Sequence, residues 1–168
     1  MQTIFAALAP APRITYRRER WDTPDGDFID LDWAGTNGPL IALFHGLEGS
    51  SASPYARAIA AQALAMGWRC VVPHFRGCSG ELNRLPRAYH SGDSAEIDWI
   101  LRRLQARHAV GISLGGNALL KLLGERGADM DLHKAVAISA PLDLAAAGRA
   151  LDAGLSREIY TRIFLRSL

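Results

Sequence analysis

Gly111-Ile112-Ser113-Leu114-Gly115 sets a serine with a glycine two residues away on either side. That is the spacing an acyl-transfer nucleophile needs on a sharp strand-to-helix turn. A serine there takes a strained backbone conformation, and side chains two residues to either side would collide across the turn, so both places call for glycine. A helix opening directly after the serine points its N-terminal dipole at it and helps to stabilise a developing oxyanion. With Gly and Ser each at about 7% of ordinary sequence, such a motif arises by chance in about one chain in twenty of this length, so its context has to carry the reading. Val110 precedes it as strand, and Asn117 to Leu123 follow as an apolar helix. A second element, His45-Gly46-Leu47-Glu48-Gly49, closes the apolar run Leu40–Phe44. An HG-type turn at the end of such a strand supplies one backbone N–H to an oxyanion hole, and the residue after the nucleophile supplies the other. Leu47 and Leu114 are therefore the expected amide donors. His45 is read as a buried histidine satisfied by backbone rather than as a catalytic base.

The elements that must hold these residues alternate short apolar runs with helical patterns, which implies an α/β fold with a largely parallel sheet. Ile14–Trp21 and Phe28–Trp33 flank Thr23-Pro24-Asp25-Gly26-Asp27 and read as an N-terminal hairpin. Ser53-Pro54 opens a helix to about Met66, stopped by Gly67, and Trp68–Pro73 is the next strand. Phe75 to Gly92 is a long polar loop. It either borders a pocket or is a structural loop whose Arg76, Arg84 and Arg87 pair with nearby acids. Asp93 and Glu96 have capping-pair spacing, and Ile97, Ile100, Leu101 and Leu104 share one helical face. Ala109–Ile112 reads as a very short strand, since Leu104 to Val110 leaves little room for a loop and a full one; such a shortening would displace Ser113 from Leu47. Lys134–Ala140 is the last strand, and the tail from Leu144 reads as helix with Ile159, Ile163 and Phe164 on one stripe.

Composition narrows the classes. The chain has 168 residues, 49% hydrophobic and 21% charged, which suits one globular domain and excludes disorder and low-complexity architectures. Nineteen basic against seventeen acidic residues give a net charge of +2, too mild to argue for nucleic acid. The arginine clusters (Arg13, Arg17, Arg18 and Arg20, then Arg102, Arg103 and Arg107) read as solvated faces. No run reaches the roughly 18 to 20 apolar residues of a membrane span, and no basic region precedes the apolar start, so a cytoplasmic protein is expected. Cys70 and Cys78 lack zinc-site spacing; Cys70 reads as a small core residue, and Cys78 as nucleophile would need a base beside it. No metal and no organic cofactor is expected. Phosphate binding at the glycine-flanked helix start lacks the lysine and spacing of a P-loop.

Four segments together resemble the AB hydrolase 4 (YheT-like) family of carboxylesterases in the α/β-hydrolase superfamily: His45–Ala60 (HGLEGSSASPYARAIA), His74–Asp93 (HFRGCSGELNRLPRAYHSGD), Val110–Glu125 (VGISLGGNALLKLLGE) and Ala135–Leu144 (AVAISAPLDL). The tail Ile159–Leu168 looks like that family's early cap helix. The resemblance implies an α/β-hydrolase core over residues 1–143 and the beginning of a helical cap over 144–168. It implies Ser113 as the nucleophile toward a small-molecule carboxylic ester. The amides of Leu47 and Leu114 would form the oxyanion hole, with His45, Gly46, Gly111 and Gly115 supporting the two turns.

In that family the triad acid and base lie on strands beyond Leu168, so the chain is expected to lack them and to be incomplete at its C-terminal end. Its start, Met1-Gln2-Thr3-Ile4, looks like the middle of the family's HLQTI stretch. After Ser113 the only histidine is His133, just before a strand. Asp143 and Asp152 also follow, and neither stands where the family places its acid. Two functions are carried forward: a serine esterase working through an acyl-enzyme, and a non-catalytic hydrolase-derived module. The second rests on the last strand leaving an uncovered sheet edge, which invites self-association.

Overall fold

The computed structural model describes residues 11–151, so Ile159, Ile163, Phe164 and Asp152 lie outside the described residues. Six strands form one sheet: β1 (Arg17–Asp22), β2 (Phe28–Ala34), β3 (Leu40–Phe44), β4 (Arg69–Pro73), β5 (His108–Ile112) and β6 (Lys134–Ile138). Their spatial order is β1-β2-β4-β3-β5-β6. β1 and β2 form the hairpin, β2 runs antiparallel to β4, and β4, β3, β5 and β6 are mutually parallel. Among the described residues four α-helices lie between or after them: α1 (Pro54–Ala65), α2 (Ser94–Leu104), α3 (Leu114–Arg126), which runs into a 3-10 turn at Gly127–Asp129, and α4 (Leu144–Leu151).

Period-2 alternation splits the central strands between two apolar layers. Ala42 and Phe44 of β3 and Val71 of β4 face Ile97, Ile100 and Leu101 of α2 and Leu119 and Leu122 of α3. Leu43, Cys70 and Val72 face the other way, onto Ala56, Ala60 and Ala63 of α1. A helix face of three alanines lets α1 lie close to the sheet. Burial on both faces explains why these strands read as continuous apolar runs. β6 is an edge strand among the described residues, with Val136 and Ile138 49% and 42% exposed.

Several expectations are corrected. β5 is a full five-residue strand paired on both sides, not a shortened one. Room for it comes from Gln105, which adopts the left-handed conformation (φ 50°, ψ 36°), so that the chain leaves α2 and reaches β5 in three residues. Ala106 N–H donates back to the Leu101 carbonyl at 3.1 Å to close that turn. Asp93 and Glu96 are not a capping pair: Asp93 makes no side-chain cap bond, and Glu96 is held by Arg76. β6 stops at Ile138, where Ser139 turns to φ 53°. The elbow helix begins at Leu114 and runs on to Arg126. Arg18 and Arg20 are exposed, as a solvated face requires, and each also grips a buried acid across the hairpin, Asp32 and Asp30.

Candidate active site

Adjacent parallel strands bring the two turns together. β3 and β5 pair with Phe44 opposite Gly111, so His45-Gly46-Leu47 emerges beside Ile112-Ser113-Leu114 at the carboxyl end of the sheet. A Cβ built on Gly46 would lie 3.3 Å from Ser113 Cβ, which places the serine directly against the turn. Ser113 is half-buried, and its φ of 49° and ψ of −112° are a strained backbone conformation. Its N–H donates to the Ile138 carbonyl at 2.9 Å, and its carbonyl accepts from Asn117 N–H at 2.9 Å. Asn117 Nδ2 also donates to the Pro141 carbonyl, tying α3 to the segment after β6.

The glycines have direct steric reasons. A Cβ on Gly111 would stand 2.6 Å from the Gly115 carbonyl oxygen and from Gly116 Cα. A Cβ on Gly115 would stand 2.5 Å from the carbonyl oxygens of both Phe44 and His45. Real Cβ atoms do not approach backbone so closely, and here the obstacles are the central strand and the helix itself.

His45 is fully buried. Its Nδ1–H donates to the Gly46 carbonyl at 2.8 Å and its Nε2 accepts from Phe75 N–H at 3.0 Å. Burial brings its pKa down to about 4, so the ring stays neutral and both nitrogens are engaged. The turn is held from outside as well: Gly46 N–H donates to Tyr55 Oη, and Glu48 N–H to Tyr89 Oη. Beside it lies a buried polar knot. Asp32 accepts from Arg18, from Ser51 Oγ at 2.5 Å and from His74 Nε2 at 2.9 Å. Burial pushes the Asp32 carboxyl up, but hydrogen bonds from Arg18, His74 and Ser51 outweigh it and hold the group well below the usual carboxylate range.

Tyr55, Tyr89, Ser51, His74 and Asp32 are not among the site residues expected from sequence. For Asp32 there is a signal: in the hairpin register Arg18 faces Asp32 and Arg20 faces Asp30, opposite charges at cross-strand positions.

The long loop belongs chiefly to an ion-pair network. Arg76, buried, binds Glu96 at 2.7 Å, Asp25 at 2.9 Å and Asp27 at 3.1 Å; Arg87 binds Asp93, and Arg84 binds Asp22. From this loop Tyr89 reaches the candidate site through Glu48, and Phe75 through His45. Burial pushes the Cys78 thiol up to about 11 and Cys70 to about 12, which leaves neither as a thiolate at neutral pH. His133 precedes β6 beside Arg107 and His108, at the opposite end of the sheet from Ser113. Asp143 accepts from Ala146 N–H at 2.8 Å in the first turn of α4. Among the described residues, no histidine is hydrogen-bonded to Ser113: His74 is bound to Asp32 and the Cys78 carbonyl, and His90 to Asp93. None of their helices is long and apolar enough to cross a membrane.

A mostly parallel sheet that delivers a strained serine into a helix N-terminus, beside a His-Gly turn on the neighbouring strand, defines an α/β hydrolase. The chain belongs to that family: residues 39–160 match the sequence model of the alpha/beta hydrolase fold. Over 161 residues it is 45% identical to the "Putative esterase YheT" of Escherichia coli (strain K12), covering 89% of this chain and 47% of that protein. It is 30% identical over 165 residues to Phospholipase ABHD3 of Mus musculus, covering 89% and 40%. The chain thus spans less than half the length of these two relatives. Among solved structures, mouse alpha/beta hydrolase domain-containing protein 10 superposes with a TM-score of 0.64 at 16% identity, covering 87% of this chain and 59% of that one. E-2-(acetamidomethylene)succinate hydrolase gives 0.60 at 23% identity, covering 82% and 50%. At these identities the two structures speak for the fold alone.

Proposed function

We propose that the protein belongs to a carboxylic-ester hydrolase in which Ser113 Oγ attacks the carbonyl carbon of a small-molecule ester. The alcohol leaves and an acyl-enzyme forms, which water then hydrolyses. The amides of Leu47 and Leu114 hold the oxyanion as the carbonyl oxygen gains charge. The observation that carries this reading is the strained serine at φ 49° lying against the Gly46 turn. It is supported by kinship to proteins named as esterases and phospholipases. Among the described residues, neither Leu47 N–H nor Leu114 N–H donates to a protein acceptor, so both are free for an oxyanion.

The serine proton needs a base, and among the described residues no histidine is hydrogen-bonded to Ser113: His45 is locked in two backbone bonds, His74 is taken by Asp32 and the Cys78 carbonyl, and His133 lies across the sheet. We read the helix Leu144–Leu151 as the beginning of a cap; residues 152–168 lie outside the described residues. A second reading, a non-catalytic module that pairs a second copy along β6, is favoured by the exposed Val136 and Ile138 on that edge.

Intact mass after exposure to a fluorophosphonate separates the two, with Ser113→Ala as control. One adduct on the wild type and none on the variant supports an activated Ser113. No adduct on folded protein, with a dimer seen by analytical ultracentrifugation, favours the module.

A further inference from the structure

Four consecutive amides run through the turn after β3, and three of them have protein acceptors. Gly46 N–H donates to Tyr55 Oη at 3.0 Å, Glu48 N–H to Tyr89 Oη at 2.8 Å, and Gly49 N–H to the Gly46 carbonyl at 3.0 Å. Of these four, only Leu47 N–H, between the two phenol-bound amides, donates to no acceptor among the described residues. Resting on the nucleophile reading above, we propose that Tyr89 is a positioning residue that keeps the Leu47 amide aimed at the acyl oxygen on Ser113.

The turn has a reason to relax and Tyr89 opposes it. Glu48 sits at φ 52°, a conformation that L side chains rarely adopt. Rotation of the Leu47–Glu48 peptide would return Glu48 to negative φ. The same rotation would swing Glu48 N–H away from Tyr89 Oη and cost that hydrogen bond. The phenol is doubly committed to this residue, because its own O–H donates to Glu48 Oε1 at 2.7 Å.

The Tyr89 ring is itself fixed, stacked on Phe75 with centroids 5.3 Å apart and planes 7° apart. Phe75 N–H in turn donates to His45 Nε2, whose Nδ1–H grips the Gly46 carbonyl. That carbonyl and Leu47 N–H belong to one planar peptide, so fixing the oxygen fixes the direction of the N–H. The loop after β4 therefore holds the peptides on both sides of Leu47 Cα. Tyr55 of α1 holds the preceding amide.

Tyr89→Phe keeps the stack and removes only the hydroxyl. The test is saturation kinetics of Ser113 phosphonylation by a fluorophosphonate, with amide hydrogen exchange over residues 46–49. Losing a whole oxyanion donor costs about 10² to 10³ in rate, and a donor only misaimed costs less, so the maximal phosphonylation rate should fall roughly tenfold at unchanged half-saturation. The Glu48 amide should exchange faster. Tyr55→Phe should act in the same sense at Gly46, and it serves if Tyr89→Phe does not fold. An unchanged maximal rate overturns the positioning role while leaving Ser113 as nucleophile. A raised half-saturation at constant maximal rate also overturns it, making Tyr89 a binding residue. A wild-type chain that takes no phosphonate removes both the nucleophile reading and this one.

Discussion

Substitution of Gly115 by alanine tests the close approach on which the elbow depends. The added Cβ would stand 2.5 Å from the carbonyl oxygens of Phe44 and His45 and 2.8 Å from the Phe44 carbonyl carbon. Ordinary non-bonded contacts lie at about 3.5 Å, so the end of β3 or the start of α3 must withdraw by roughly 1 Å. β3 is clamped between β4 and β5 and cannot yield freely, so the strain is shared with the helix. Overpacking of this kind costs about 1–3 kcal/mol. For a domain of this size that lowers the melting midpoint by about 3–10 °C. The chemical effect should be larger, because the displaced atoms are the peptides that lead into Leu47. A misplacement of about 1 Å costs on the order of a hundredfold in rate. The assays are a thermal melt and the rate of Ser113 phosphonylation. The matched control is Gly124→Ala in the same helix, where a Cβ would meet nothing within 4 Å. There the better helix propensity of alanine should raise stability by up to about 1 kcal/mol. Equal melting midpoints for Gly115→Ala and wild type, with equal phosphonylation rates, would refute the steric account of the elbow.

Two further perturbations probe the groups around the site. His45 has its pKa brought down from 6.5 to about 4 by burial, so between those values the unfolded chain holds more protons than the folded one. Stability should therefore fall as pH drops through that window, by roughly 3 kcal/mol from this group. Urea unfolding at both ends of the window should show the gap between wild type and His45→Asn narrowing on acidification; a gap independent of pH contradicts the assignment. Arg76→Met removes the cation shared by Glu96, Asp25 and Asp27. Breaking a buried pair from one side costs about 3–5 kcal/mol, and a change near zero in chemical denaturation would show that the network does not hold the long loop.

The sequence alone determined the alternation of strands and helices and the two glycine-bearing turns at His45 and Ser113. Each of those signals is local in the chain: Leu40–Phe44 is a continuous apolar run, and Ser113 carries a glycine two residues away on either side, although what excludes a side chain at Gly115 is the remote end of β3. Tertiary structure decided the rest, because the deciding partners are remote in sequence. Glu96 has capping spacing relative to Asp93, yet Arg76, twenty residues earlier, takes it. Nothing in the run from Leu104 to Val110 marks Gln105 as left-handed, and that one residue gives β5 its full length. Tyr89 reaches Glu48 across 41 residues and His74 reaches Asp32 across 42. Which phenol and which imidazole close on the turn depends on the order of strands in the sheet. A buried polar group has to find a partner on folding, and only the packed chain fixes which one is within reach.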